Sequence, residues 1–142
     1  MSTECQPSFS VRAIGLVRSV LTDRVGAPKQ SHEGAPQARL EIDPAFVEGI
    51  QELKAGTEIW ILTWLHQSDR SVLRVHPRDD ARNPLVGVFA TRSSDRPNPI
   101  GLHRARVVFK TGNILGVDCL EAVDLTPIID IKPVIESDTT NR

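Results

Sequence analysis

The stretch GVFATRSSDRPNPIGL, residues 87–102, constrains this chain more than any other. Val86, Val88, Phe89 and Ala90 make an apolar run that predicts a strand over 85–91. The run breaks into Thr91, Arg92, Ser93, Ser94, Asp95 and Arg96. Pro97-Asn98-Pro99 follows, and Ile100 opens the next strand. Each proline sets its own φ and restricts the residue before it, so the loop is stiff. A stiff loop bearing two arginines at a strand end suits an anion. Proline and asparagine are also ordinary turn residues, so a plain connection between strands is the competing reading.

The length of 142 residues predicts one domain, large enough to bury a core. A formal charge of -1 argues against a general polyanion binder. The charge is uneven, however. Eight arginines lie at positions 70, 74, 78, 82, 92, 96, 104 and 106, opposed in that stretch only by Asp79, Asp80 and Asp95. They make either a basic face for phosphates or a solvated surface. Cys5 and Cys119 read as free thiols of a reducing compartment, and a cytoplasmic location is expected. His32, His66, His76 and His103 are scattered without metal-ligand spacing, so no metal is expected. There is no leader pattern, and no apolar run approaches the roughly twenty residues of a membrane span.

Period-two alternation from Phe9 to Arg18 predicts a half-buried strand. Residues 22–38 form a long loop containing Pro28-Lys29-Gln30; loops of that length are usually functional or disordered. A short strand at 39–42 leads to Asp43 as N-cap and Pro44 as first helical residue. Phe46, Val47, Ile50 and Leu53 then recur at helical spacing, and Gly56 ends that helix. Residues 58–65 (EIWILTWL) are apolar on both faces, which calls for a core on one side and a helix or second subunit on the other. Further strands are predicted at 71–75, 100–109, 113–120 and 127–131, with a tight turn at Thr111-Gly112-Asn113. The fold class is therefore mostly β: a small closed or partly open barrel with one short helix and long functional loops, spanning 9–135 between loose termini at 1–8 and 136–142. The dinucleotide glycine fingerprint and the phosphate-cradling glycine loop are absent, which argues against a doubly wound nucleotide fold.

Four polar sites interrupt the apolar strands: Pro28-Lys29-Gln30, His66-Gln67, Thr91-Arg92 and Asp124-Leu125-Thr126-Pro127. In the last strand, alternation puts Asp130 and Lys132 on the face of Ile128, with Ile129 and Ile131 opposite. A buried carboxylate wants a partner, and Arg92 and Lys132 are candidates. A purely structural ion pair is the plainer reading. Arg104 and Arg106 share a strand face and are expected to meet solvent or phosphate.

IGLVRS (14–19), Pro28 and Gln30, Trp60 with His66-Gln67, GVFATRS-x-x-RPNPIGL (87–102) and TPIIDIKP (126–133) together resemble the TsaA-like family, that of the TrmO, YaeB and VirR-like proteins. The resemblance runs in one order from about Val11 to Pro133. It implies a small β-barrel methyltransferase that uses S-adenosylmethionine, acts as a homodimer on tRNA, and methylates N6 of threonylcarbamoyl-adenosine beside the anticodon. It places cofactor contacts on Pro28, Lys29, Gln30, His66, Gln67, Arg92, Leu102, Asp124, Leu125, Thr126 and Pro127. A same-fold protein that binds the cofactor with another substrate, or in a non-catalytic regulatory role, is the alternative. An arginine fork such as Arg92 suits the methionine carboxylate. Asp130 is the candidate for removing the acceptor's proton, with Arg92 beside it in the catalytic set. Three departures from the family pattern stand out. Leu125 replaces a glycine, Val134 replaces an aromatic residue, and the C-terminal domain of many relatives has no counterpart in the matched stretch.

Overall fold

The computed structural model describes residues 6–23 and 34–135. Six antiparallel strands close into a barrel in the order β1-β2-β7-β6-β3-β8, with β8 returning to β1. They are β1 (Gly15–Arg18), β2 (Ala38–Ile42), β3 (Glu58–Trp64), β6 (Ile100–Thr111), β7 (Ile114–Val117) and β8 (Pro127–Pro133). Between β3 and β6 an arm carries a two-stranded ribbon of β4 (Arg74–Val75) and β5 (Val86–Gly87). Val17, Leu40, Ile42, Ile59, Ile61, Val107, Leu115, Val117 and Ile128 fill the barrel and are almost wholly shielded. Closure removes free edges, so alternation along each strand sorts side chains into inside and outside.

Asp43 caps a 3-10 helix over Pro44–Ile50, its carboxylate accepting from Ala45 N at 2.9 Å. Ile50 enters the core and Phe46 and Leu53 pack against it. Lys110 Nζ binds the carbonyls of Ile50 and Gln51 at 3.2 and 2.6 Å, satisfying acceptors that the helix end leaves open. The chain then turns at Gly56 into β3. Two further 3-10 turns occupy Pro77–Asp79 and Val88–Ala90. Gly112 takes φ +60° in the two-residue turn between β6 and β7.

Several local expectations change. The helix expected to run to Gly56 is a 3-10 helix that ends at Ile50, and the strands expected at 71–75 and 113–120 keep only Arg74–Val75 and Ile114–Val117. The strand predicted from Phe9 begins only at Gly15, and Phe9 and Val11 are 88% and 65% exposed. β1 and β8 pair at Gly15 and Leu16, and among the described residues the backbone bonds reach back only to Ile14, whose N donates to Ile128 O at 2.8 Å. The strand predicted over 85–91 ends at Gly87, because only Val88 of the following apolar run is buried and Phe89 points out. In β8 the register against β3 shifts between Leu62 and Thr63: Leu62 faces Asp130 while Thr63 faces Ile128. That bulge inserts one residue and breaks the period of two. Ile128 and Ile131 therefore both reach the core, and Asp130 shares a face with Lys132 but not with Ile128. Lys132 is its ion partner, at 3.2 Å on the outer surface.

Candidate functional site

At one end of the barrel the apolar interior turns polar. Thr63 on β3, His103 on β6 and Thr126 before β8 all lie inside and are at most 5% exposed. Thr63 Oγ1 lies 2.7 Å from His103 Nε2, and His103 Nδ1 lies 2.5 Å from Glu121 Oε1. A carboxylate only accepts, so the Nδ1 proton of His103 points at Glu121. Gly101 faces Thr63 across the β3–β6 ladder. A Cβ at that position would collide with both Thr63 Oγ1 and His103 Nε2, so only glycine admits this close approach.

A cleft of about 970 Å³ opens over this polar end, and His103, Glu121 and Thr126 reach its floor. Its walls come from 65–68 after β3, the 76–79 turn of the arm, the 90–96 loop and the start of β6. Cofactor sites commonly enclose about 300–1,000 Å³. The walls are braced by backbone acceptors. Leu65 N donates to Pro99 O at 2.8 Å, and Arg70 Nε donates to Pro97 O at 2.7 Å. Arg70 also lies over the Trp64 ring at 5.0 Å, a cation–π contact. Arg96 donates to the carbonyls of Ser93, Val88 and Thr91 at 2.6–2.7 Å. The Pro97-Asn98-Pro99 segment is thus a strut, and Arg96 is its tie.

His66, Gln67, Arg92, Leu102 and Thr126 converge on this cleft. Arg92 has no hydrogen-bond or ion-pair partner among the described residues. Asp124, Leu125 and Pro127 lie beside the floor without lining it. Asp124 accepts from Ser19 N at 2.9 Å and stands 3.8 Å from Arg18 Nε. Leu125 occupies the tight turn from Val123 to Thr126 with φ +69°. Pro127 lines a separate cavity of about 320 Å³ with Val11, Ala13, Trp64 and Ile129. Asp130 lines neither. Pro28, Lys29 and Gln30, like Cys5 and His32, fall outside the described residues.

Sequence reasoning missed His76, Arg78, Asp79, His103 and Glu121 as cleft residues. His103 was within reach, since it shares the inward period of Gly101 and Ala105. The arm turn was not, because it depends on Arg78 and Asp79 both adopting positive φ, at 58° and 56°.

The arginine-rich segment is mostly committed internally. Arg74 binds Leu85 O and Arg82 pairs with Asp80. Glu58 receives Arg104 at 2.6 Å and Arg106 at 2.8 Å; Arg104 is thereby largely shielded, while Arg106 still meets solvent as expected. Arg104 also covers the outward Trp60 ring at 5.6 Å. Its hydrogen bond to Glu58, against some burial and with the charges of both arginines, holds that carboxyl below its usual range. Among the described residues no cluster of His, Cys, Asp or Glu is arranged to hold a metal, and no helix is long and apolar enough to cross a membrane.

The family model described as the tRNA-methyltransferase O N-terminal domain matches residues 16–139. A "Probable S-adenosyl-L-methionine-binding protein" of Methanothermobacter thermautotrophicus is 39% identical over 126 residues, covering 89% of this chain and 90% of that protein. A "Putative S-adenosylmethionine-dependent methyltransferase RcsF" of Pseudomonas aeruginosa is 36% identical over 134 residues, covering 90% of this chain and 58% of its own length. The crystal structure of TrmO from Pseudomonas aeruginosa superposes with a TM-score of 0.74 at 31% identity, over 92% of this chain and 58% of the other. The chain thus spans less than two thirds of the solved structure it matches.

Proposed function

Because the chain belongs to the family of the tRNA-methyltransferase O N-terminal domain, we propose that it is an S-adenosylmethionine-dependent methyltransferase acting on tRNA, at N6 of threonylcarbamoyl-adenosine. The observation that carries this reading is the convergence of His66, Gln67, Arg92, Leu102 and Thr126, from four separate segments, on one cleft. The residues present suit the cofactor. Arg92 offers a guanidinium with no partner among the described residues, the match for a carboxylate. Leu102, Ala122 and Val123 supply an apolar wall for a purine. The cofactor brings an electrophilic methyl on a sulfonium. The protein's task is to hold the acceptor nitrogen in line with it, keep water out and take up the proton that leaves N6; alignment alone can lower such a barrier by several kcal/mol. Pro28, Lys29 and Gln30 belong to the same proposal through the resemblance, as do Asp124, Leu125 and Pro127, which adjoin the floor.

Asp130 is the proposed proton acceptor. Since it stands on the outer face of its own barrel, that role requires a second copy to bring it to the cleft. A homodimer is part of the proposal. Phe89, Ile100, Leu102 and Leu125 support it, each more than 40% exposed on the cleft side or beside it. Asp130→Asn that methylates at full rate removes Asp130 from the mechanism.

The name of the Methanothermobacter thermautotrophicus relative, which speaks of binding, favours a second reading in which the cleft is a cofactor sensor without catalysis. Two measurements separate them. S-adenosylmethionine at a hundredfold excess over its Kd should stabilise the fold by about 2.7 kcal/mol, read as a rise in Tm. Methyl transfer to tRNA bearing threonylcarbamoyl-adenosine should then follow. Stabilisation without transfer leaves the sensor, and no stabilisation overturns both.

A further inference from the structure

Glu121 carries the least explained atom on the cleft floor. Its Oε1 faces His103 Nδ1, and His103 is held from behind by Thr63. The Glu121 side chain is only 10% exposed and that of His103 only 5%. Yet Glu121 Oε2 is buried without a hydrogen-bond partner among the described residues. Buried polar atoms are almost always satisfied, and an unpaired carboxylate oxygen is among the costliest exceptions. The carboxylate is not free to turn toward another donor. Both ring nitrogens of His103 are engaged, and the Gly101 niche lets Thr63 and His103 sit in contact. The chain Thr63–His103–Glu121 therefore leaves one oxygen of a cleft-lining carboxylate buried and without a partner among the described residues.

We propose that Glu121 is a ligand-binding residue: Oε2 accepts a hydrogen bond from an N–H donor of the bound sulfonium nucleoside, with His103 and Thr63 as positioning residues. The proposal rests on the reading of the cleft as an S-adenosylmethionine site. The charge pattern points to the amino-acid end of that ligand. Arg92 is a cation without a partner among the described residues, and Glu121 Oε2 is an acceptor without one. The other ionic groups at the walls are engaged: Asp95 accepts from Asp69 N, Arg96 is bound to three carbonyls, and Arg78 and Asp79 each have a partner. One free guanidinium and one free carboxylate oxygen complement a zwitterion. The α-carboxylate goes to Arg92 and the α-ammonium to Glu121. The adenine amine is the other N–H donor on the ligand and would satisfy the same oxygen as a neutral partner.

The test is calorimetric. Wild type and Glu121→Gln are titrated with S-adenosylmethionine, its analogue lacking the α-amine, and its analogue carrying hypoxanthine in place of adenine. The expected result is a Glu121→Gln variant of unchanged circular dichroism that binds S-adenosylmethionine about tenfold or more weakly, since a bond to a charged group is lost. The desamino analogue should bind both proteins alike. If the hypoxanthine analogue is the one that binds both alike, Glu121 still accepts an N–H and the donor is the adenine amine. Equal fractional loss for all three ligands, or none, makes the Glu121–His103 pair purely structural and overturns the proposal. Should Glu121→Gln fail to fold, the wild type alone decides through NMR of the His103 Nδ1 proton. A donor arriving at Oε2 draws charge from the carboxylate, so that resonance should move with S-adenosylmethionine and stay with the analogue lacking the partnered donor. Identical shifts with all three ligands overturn the proposal. Absence of any binding by the wild type is a different failure, that of the cofactor reading itself.

Discussion

Leu125 holds φ +69°, a left-handed conformation that costs a branched, bulky side chain roughly 1–2 kcal/mol. It sits third in a tight turn closed by Thr126 N on Val123 O at 3.2 Å, the position that favours glycine. Leu125→Gly removes the strain and gives back about 0.4–1 kcal/mol through a more flexible unfolded chain. The expected outcome is a net gain of about 0.5–1 kcal/mol, read from the denaturation midpoint at constant m-value. Gly101 has the opposite sign. Gly101→Ala pushes a methyl into Thr63 and His103 and should cost about 1–3 kcal/mol. If the Glu121 acceptor matters for binding, it should weaken S-adenosylmethionine as well. The family resemblance sets Leu125 against a glycine, but only the backbone angle says that leucine is strained there. Likewise, Gly101 is an unremarked position of the predicted 100–109 strand until its partner across the ladder is known.

Elements were legible wherever their causes are local. Asp43-Pro44 announces a capped helix start, Gly112-Asn113 a hairpin, and the apolar run at 58–65 a strand, buried on its inner face and half-buried on its outer one. What failed depended on partners distant in sequence. The β1 alternation reads back to Phe9, yet pairing with β8 lasts only two residues. The β8 pattern reads as unbroken, yet the bulge opposite Leu62 and Thr63 sends Asp130 outward to Lys132. On the outer wall, β3 and β6 are joined by Glu58 bridging Arg104 and Arg106. The folded state holds the Glu58 carboxyl below its usual 4.5, so the unfolded chain takes up the proton first. That contribution to stability is complete above pH 4.5 and is lost as pH falls through the lower folded value. Glu58→Gln should therefore flatten the fall of Tm with acidification below that point while leaving a smaller, pH-independent loss. An unchanged acid slope would show that the bridge is not formed in solution.

At the scale of the whole molecule, barrel closure brings 65–68, 90–96, 100–103 and 121–126 to one rim, although they are scattered along the chain. The motifs were readable, but the floor beneath them was not, because it depends on which strand end each inward polar residue occupies. The same closure bears on RNA. Charge counting presents the eight arginines from 70 to 106 as either a phosphate-binding face or a solvated surface on a protein of net charge -1. In the fold, Arg70, Arg74, Arg82, Arg96, Arg104 and Arg106 hold loops, carbonyls and carboxylates of the protein itself. A guanidinium already paired releases few counterions when RNA arrives. Binding of this chain to tRNA should accordingly be weak, and its dependence on salt shallow. Three or four phosphate contacts correspond to a log–log slope of about -2 to -3. Filter binding between about 50 and 200 mM salt measures it. A slope near -6 would mean that these arginines leave their partners to meet the phosphates, and that the arm is remodelled when RNA binds.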